Sequence, residues 1–179
     1  GTTPSVIPVN SALHATYTAS NQQLALTESY LRTPQTNLAM DGVVSNRSSL
    51  AVKLEANDLS EVAILANLFR APTPGQPLQP IDLAGAASFR GNVQGTTAAP
   101  HLSGQLSATD LHVNGTAWKV FRTNLEVSPS MISLQHADLE PEKQGRITFN
   151  ASAELTKWAF TNTSAIQADL DASQMDIAG

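Results

Sequence analysis

Four histidines and several closely spaced acidic residues are the side chains of this sequence best suited to chemistry. The histidines, His14, His101, His112 and His136, are scattered along the chain. Asp110 and His112 lie two positions apart, and in a strand this spacing places both side chains on one face. A zinc site needs at least three protein ligands, and no third ligand accompanies this pair. We therefore interpret the pair as a solvated strand face and expect no metal site.

Two pairs of carboxylates have the composition that a glycosidase uses to protonate and attack a glycosidic bond. Glu140 and Glu142 fall in a charged loop, whereas Asp169 and Asp171 fall on the polar side of a predicted strand. Contact with solvent explains the charges in both places. The sequence has no Ser-His-Asp arrangement, phosphate-binding loop or Gly-rich dinucleotide turn. We expect no catalytic residues, no cofactor and no enzymatic activity.

Residues 102–111 show how the chain is built. Apolar and polar residues alternate from Leu102 to Ala108, which predicts a strand with one buried and one solvated face. The apolar phase then shifts by one residue to Leu111, and such a shift turns every following side chain to the other face. A β-bulge or tight corner near residues 109–110 would correct the phase.

The same five-residue step between apolar side chains recurs along the chain. It begins at Leu26, Leu54, Leu106, Leu134 and Leu170. Regular self-similarity is typical of stacked, solenoid-like architectures. Together with the turn signals between these units, the pattern predicts roughly eleven to thirteen strands, most of them paired with their neighbours in sequence.

Residues 58–70 are predicted to form the one helix of the chain. Asp58 is a suitable N-cap, and Glu61 occupies the third helical position, which is a capping-box arrangement. An apolar stripe at helical spacing follows, and the Pro-rich residues 71–77 end the helix. We expect this helix to plug an open end or edge of the sheet.

The predicted fold is all-β: a long rolled sheet of repeated, mainly antiparallel strands, of β-taco or solenoid-like form, with one short amphipathic helix. Residues 1–179 are predicted to be a single segment of a larger repetitive β protein. Within it, residues 11–70 and 81–179 are candidate sub-units joined by the Pro-rich linker 71–80.

The composition excludes several classes of partner and binding site. The net charge is −5 with no basic stripe, which argues against nucleic acid. The chain has no cysteine, so neither a disulfide nor a thiolate metal site is expected. No apolar run approaches the ~20 residues that span a bilayer, so we expect no transmembrane segment in these residues.

The apolar side of the alternating strands is the candidate functional surface. A rolled sheet whose inner face carries aliphatic side chains and no charge could solvate acyl chains as a trough. The alternative is that the same side chains pack on one another as a closed core. The candidate trough residues are Leu50, Val52, Leu54, Leu102, Leu106, Ile132, Leu134, Ile166 and Leu170.

Between residues 50 and 155, short motifs follow one another in a distinctive order. They are Leu54-Glu-Ala-Asn-Asp-Leu59, a Pro-rich break, Leu83-Ala-Gly85, Phe89-Arg-Gly91, Val93-Gln-Gly95-Thr96, Pro100-His-Leu102-Ser-Gly104, Leu106-Ser-Ala-Thr-Asp-Leu111 and Gly115. This order resembles the repetitive β region of the TamB/AsmA-like bacterial envelope proteins, which include the large subunit of the translocation and assembly module.

The resemblance implies a taco-shaped β-sheet with an apolar trough. It also implies a periplasmic protein that is anchored at the inner membrane and reaches toward an outer-membrane β-barrel partner. The expected partners are phospholipid, transferred between the membranes, or unfolded strands of outer-membrane proteins during their assembly. We expect membrane attachment and docking to the barrel to reside outside this sequence.

Two other classes of function remain open at this stage. The first is a secreted β-rich carbohydrate-binding or adhesin module, with a sugar-stacking platform made from Trp118, Phe121, Trp158 and Phe160. The second is a β-helical enzyme acting on polysaccharide. Lipid that co-purifies with the protein would favour the trough, and glycan binding without lipid would favour the module.

Overall fold

A computed structural model of the protein describes residues 8–63, 82–113, 115–142, 145–161 and 163–173. They form one open antiparallel sheet of eleven strands, which confirms the predicted all-β fold. The strands are β1 (Asn10–Ala12), β2 (Ala15–Thr18), β3 (Gln23–Arg32), β4 (Thr36–Val44), β5 (Ser48–Ala56), β6 (Leu83–Gly95), β7 (Pro100–Val113), β8 (Thr116–Ser128), β9 (Met131–Pro141), β10 (Arg146–Glu154) and β11 (Ile166–Ser173).

The sheet is a meander, since each strand from β3 to β11 pairs with the next one along the chain. β1 and β2 both pair with β3, so they form the two halves of one edge that is interrupted at residues 13–14. β5 and β6 also pair directly across the intervening residues 57–82, which places both candidate sub-units in one sheet. The Pro-rich linker 71–80 lies outside the described residues.

Bulges interrupt the pairing where the apolar phase shifts. β7 gains one residue against β6 beside Asp110, which has a φ of 50°, so the bulge predicted near residues 109–110 is confirmed. β3 and β9 bulge in the same way at Glu28 (φ 46°) and His136 (φ 50°). Each bulge turns the following side chains back to the apolar face.

Side chains of the neighbouring strands hold two of these bulges. The backbone N–H of Glu28 donates to Asp41 Oδ2 at 3.1 Å, and the N–H of His136 donates to Asn150 Oδ1 at 2.8 Å. A bulge leaves its extra residue out of the ladder, and these contacts give its N–H an acceptor.

The other two five-residue steps differ from the bulged ones. After Leu54, β5 ends at Ala56 and the chain enters a helical turn at residues 59–63, so the step spans the end of a strand. The step after Leu170 ends at residue 175, which lies outside the described residues. One sequence pattern therefore corresponds to a bulge in three places and to a strand end in another.

The start of the helix is confirmed, but the role of Glu61 differs from the prediction. Asp58 Oδ1 accepts the N–H of Ser60 at 2.9 Å, as an N-cap does. The Glu61 carboxylate instead accepts the N–H of Gln35 at 3.1 Å and the hydroxyl of Thr36 at 3.2 Å. It thereby ties the first helical turn to the start of β4, at one end of the sheet. Residues 64–70 lie outside the described part of the chain.

The alternation of apolar residues at Trp158 and Phe160 predicts the start of the last pair of strands, and this prediction is wrong. Lys157 and Trp158 both have positive φ values, of 50° and 71°, and a single bridge joins Thr156 to Ala159. Two consecutive residues with positive φ reverse the chain, so the segment is a tight turn and both aromatic side chains are exposed. The alternation of apolar residues is therefore the same here as in a strand, although the segment is a turn.

Candidate functional site

One face of the sheet carries most of the large apolar side chains of strands β3 to β11, and we call it the apolar face. Its clearest feature is a row of side chains in which each residue is directly paired with the next across ten strands, β2 to β11. The row is Ala15, Leu26, Gly42, Leu50, Val93, Leu102, Val127, Ile132, Ala153 and Ile166.

All nine candidate trough residues lie on the apolar face. Leu50, Leu102, Ile132 and Ile166 belong to the row just described, and Leu170 pairs with Phe149 near the far edge. Val52 and Leu134 belong to a second row that continues through Met40, Gly91, Gly104 and Leu125. Leu54 and Leu106 flank Phe89 in a third row. The sequence pattern thus placed these side chains on one surface.

Charge is excluded from this surface. None of the residues that the pairing of β3 to β11 places on the apolar face is charged. Its buried hydroxyls are satisfied within the protein: Thr123 Oγ1 donates to the carbonyl of Gln135 at 3.1 Å, and Ser29 Oγ contacts the carbonyl of His14 at 3.4 Å. The face therefore presents hydrocarbon with few free polar groups.

Burial changes along the row. The side chain of Leu50, in the middle of the sheet, is only 8% exposed, whereas Ile166 in the same row is 73% exposed on β11. Leu170 on β11 is 68% exposed. Neighbouring strands cover the central side chains, and the last strand has a neighbour on one side only.

The Phe89 ring covers a pair of glycines on the apolar face. Gly91 and Gly104 are paired directly, and a Cβ on either would lie within 3 Å of the tip of the Phe89 ring. The two glycines leave the gap that the ring occupies, and Phe89 is 6% exposed. The sequence motifs contain Phe89 and both glycines, but packing between them was not predicted, although an aromatic residue two positions before a strand glycine is a signal for it.

The opposite surface, the polar face, carries the charges. Lys53 Nζ lies 2.7 Å from Glu55 Oε1, and this contact holds the pKa of the Glu55 carboxyl below its ordinary value. Arg146 Nε donates to Asp138 Oδ1 at 2.8 Å, and a second guanidinium nitrogen contacts Oδ2. This fork lowers the pKa of Asp138 and raises that of Arg146.

The Asp138–Arg146 pair predicts a pH-dependent contribution to stability. The carboxyl has a lower pKa in the folded than in the unfolded chain. Its stabilisation is therefore complete above the unfolded value of about 4 and is lost as the pH falls through the lowered folded value. Asp138→Asn should cost below about 1 kcal/mol at pH 7, because the arginine is largely exposed.

Urea unfolding of both proteins between pH 7 and pH 2 measures this effect. The difference between wild type and Asp138→Asn should shrink toward zero at the acid end. In an Arg146→Gln background the same substitution should show no such dependence. A difference that stays constant with pH would contradict the assignment.

The polar face also holds a groove that the sequence did not predict. It has a volume of about 900 Å³ and crosses β3 to β6, with Tyr30, Arg32, Asp41, Lys53 and Arg90 in its wall. The Arg32 guanidinium carbon lies 4.3 Å from the centroid of the Tyr30 ring, which is a cation–π contact. Tyr30 and Arg32 are two positions apart in β3, but the other wall residues come from β4, β5 and β6, so sequence spacing does not predict the groove.

The other sequence candidates are dispersed. Trp118 pairs with Leu111 near one end of β8, while the N–H of Trp158 donates to Pro129 beyond the other end, roughly 35 Å away along the strand. The four aromatic residues Trp118, Phe121, Trp158 and Phe160 thus do not form one platform. Phe121 instead lies on the apolar face, where its ring stacks near Phe149 at 6.4 Å between centroids.

The acidic candidates lie apart as well. Glu140, predicted in a loop, is in β9 opposite Val120, because the strand continues through Pro141. Asp169 and Asp171 lie on the polar side of β11, as predicted. His112 Nδ1 contacts the backbone carbonyl of Asp110 at 3.0 Å. Within the described ranges, no three His, Asp or Glu side chains are grouped to hold a metal ion.

In the part of the chain that the structure describes, no helix has the length and apolar character needed to cross a bilayer. Comparison with protein-family models, with curated proteins and with solved structures found no match. The apolar face and the polar-face groove are therefore the features from which a function can be inferred.

Proposed function

We propose that the protein is a non-catalytic segment of a periplasm-spanning, TamB/AsmA-like protein, anchored at the inner membrane by other regions. Its apolar face serves as a trough that carries phospholipid between membranes, assists the assembly of outer-membrane proteins, or does both. The observation that supports this most directly is the uninterrupted apolar row across ten strands of an open sheet.

An acyl chain lying along this row would be held by the hydrophobic effect. Each methylene removed from water contributes about 0.8 kcal/mol, so about eight methylenes contribute roughly 6 kcal/mol before the cost of ordering the chain. None of the paired strand residues of this face from β3 to β11 is charged. An acyl chain bound there would therefore not remove water from an ionised side chain. The headgroup remains in water at the open side of the sheet.

Native mass spectrometry of freshly purified protein tests the proposal. Phospholipid should co-purify with the wild type and be lost from Leu102→Glu, because a carboxylate in the middle of the row must stay hydrated. Gln105→Glu is the matched control: it adds the same charge to the polar face of the same strand, opposite Arg90 and Asn124. It should retain the lipid.

Circular dichroism should show that both variants keep the β-sheet. Lipid bound equally by wild type and by folded Leu102→Glu would contradict the trough. The trough would also be contradicted if the wild type carried no lipid and failed to take up phospholipid from vesicles.

The polar-face groove supports a second candidate, the secreted carbohydrate-binding or adhesin module. A tyrosine ring beside arginine, asparagine and aspartate side chains offers the stacking and hydrogen bonding that sugars require. A glycan array would show selective binding that Arg90→Ala weakens. Absence of glycan binding by the lipid-free protein would exclude this candidate.

A further inference from the structure

The polar-face groove is shaped by two small side chains that lie among larger ones. Ala39 is paired directly with Tyr30 on one side and with Lys53 on the other, and Lys53 is paired with Arg90. Ala51 lies on the same face, two positions before Lys53 in β5. The two alanines form a floor between the long side chains of β3 and those of β5 and β6. The resulting space of about 900 Å³ matches the size of small-molecule sites.

Positive and negative charges are separated along the groove. The cations Arg32, Lys53 and Arg90 lie toward one end, and the carboxylates of Asp41 and Glu28 lie toward the other. Asp41 belongs to the next row of the polar face, about 7 Å along the strands from the row of Lys53. Its Oδ2 accepts the N–H of Glu28 at 3.1 Å, and among the described residues it forms no ion pair with the cations. One end of the groove therefore suits an anionic group, and the other suits hydroxyls that donate to a carboxylate.

Arg32 is held in position before any ligand binds. Its guanidinium carbon lies 4.3 Å from the centroid of the Tyr30 ring, and its Nε donates to Asn37 Oδ1 at 3.1 Å. Among the described residues no carboxylate forms an ion pair with it. Its two terminal nitrogens can therefore donate to both oxygens of a carboxylate or to two oxygens of a phosphate. Little side-chain entropy is lost on binding, because the two contacts already restrict the guanidinium.

The other two cations share a single carboxylate. Lys53 Nζ lies 2.7 Å from Glu55 Oε1, and a guanidinium nitrogen of Arg90 lies 4.0 Å from the same oxygen. The Arg90 side chain is 73% exposed, and an exposed ion pair at this distance contributes little free energy. A second anion can therefore attract Arg90 without breaking a strong contact. Three cations and one carboxylate leave this end of the groove positively charged.

From these features we infer that the polar-face groove binds a saccharide that carries a carboxylate or phosphate group. Arg32 binds the anionic group, and the charges of Lys53 and Arg90 stabilise it. At the other end of the groove, sugar hydroxyls donate to Asp41 and contact the amide of Asn92. The inference rests on the second candidate in the proposed function, the carbohydrate-binding module, and adds the chemical class of its sugar. It is independent of the lipid trough, which lies on the opposite face.

Isothermal titration calorimetry of the full chain with two pairs of probes tests the inference. One pair is an oligogalacturonate and its carboxyl-reduced form, and the other is glucose 6-phosphate and glucose. The members of each pair differ in the charged group, and hydrogen bonds to that group predict about tenfold tighter binding of the charged member. A preference within either pair supports the inference and identifies the anionic group. Arg32→Gln should remove the preference, and added salt should reduce it.

Arg122→Gln is the matched control for Arg32→Gln. It removes the same charge from the polar face of β8, outside the groove, where Arg122 is paired with Ser107 and Asp138. This variant should keep the preference of the wild type for the charged probe. Circular dichroism should show that both variants keep the β-sheet. If Arg32→Gln unfolds, the comparison of charged and neutral probes on the wild type still decides the question.

Four results would overturn the inference. The first is equal affinity for the charged and neutral members of both pairs, which would leave the carbohydrate-binding module standing. The second is a preference that survives in folded Arg32→Gln, and the third is an equal loss of preference in Arg122→Gln. The fourth is displacement of the charged sugar by an equal concentration of inorganic phosphate, which would show that the groove binds the anion alone. A wild type that binds none of the sugars would exclude the carbohydrate-binding module together with this inference.

Discussion

Phe89→Ala is expected to lower the free energy of unfolding by about 3 kcal/mol, which is the usual loss for deleting a buried aromatic ring. The ring is 6% exposed and lies over the paired Gly91 and Gly104, which have no side chains to fill the space it would leave. Urea unfolding followed by circular dichroism measures the change.

Arg90→Ala is the matched control for this substitution. Arg90 is the next residue in β6, lies on the polar face and is 4.0 Å from Glu55 in a weak, exposed ion pair. Its removal should change the free energy by about 0.5 kcal/mol or less. A loss below about 1 kcal/mol for Phe89→Ala would show that the ring does not support the centre of the apolar face.

Gly42→Ala is expected to destabilise the protein by a similar amount, about 3 kcal/mol. Gly42 has a φ of 134°, which L-residues rarely adopt, and this strain alone costs about 1–3 kcal/mol. A Cβ there would also lie 2.2 Å from the carbonyl oxygen of Ser49 and 2.9 Å from the Cα of Leu50. Both are backbone atoms of β5, so relief requires the strands to separate beside the Glu28 bulge.

Gly115→Ala distinguishes the cost of backbone strain from the cost of steric contact with the added Cβ. Gly115 also has a positive φ, of 80°, but a Cβ there meets nothing within 4 Å. Its substitution should therefore cost about 1 kcal/mol, measured by the same unfolding experiment. Equal losses at the two positions would indicate that strain alone governs Gly42.

The faces of the sheet were predictable because strand side chains alternate with a period of two. Leu50, Leu102 and Leu134 lie where this period places them, and the shift after Ala108 became a bulge because a bulge is a local way to keep one face buried. The helix start at Asp58 was predictable because a cap depends on adjacent residues.

Features that depend on distant residues were not predictable. Glu61 contacts Gln35 and Thr36, and the polar-face groove gathers side chains from separate strands, so local spacing carries no signal for either. Trp158 was misassigned because apolar alternation does not reveal a positive φ. Whether the apolar rows bind lipid depends on what covers them, and alternation is the same for a trough and for a core.

The meander has a consequence for how such a protein can change in length. Each strand from β3 to β11 touches mainly the strands beside it, which are also its neighbours in sequence. A duplicated or deleted hairpin would alter the span by about 10 Å, two strand spacings, and leave the remaining pairs intact. The width of such a sheet can therefore change during evolution in hairpin-sized increments.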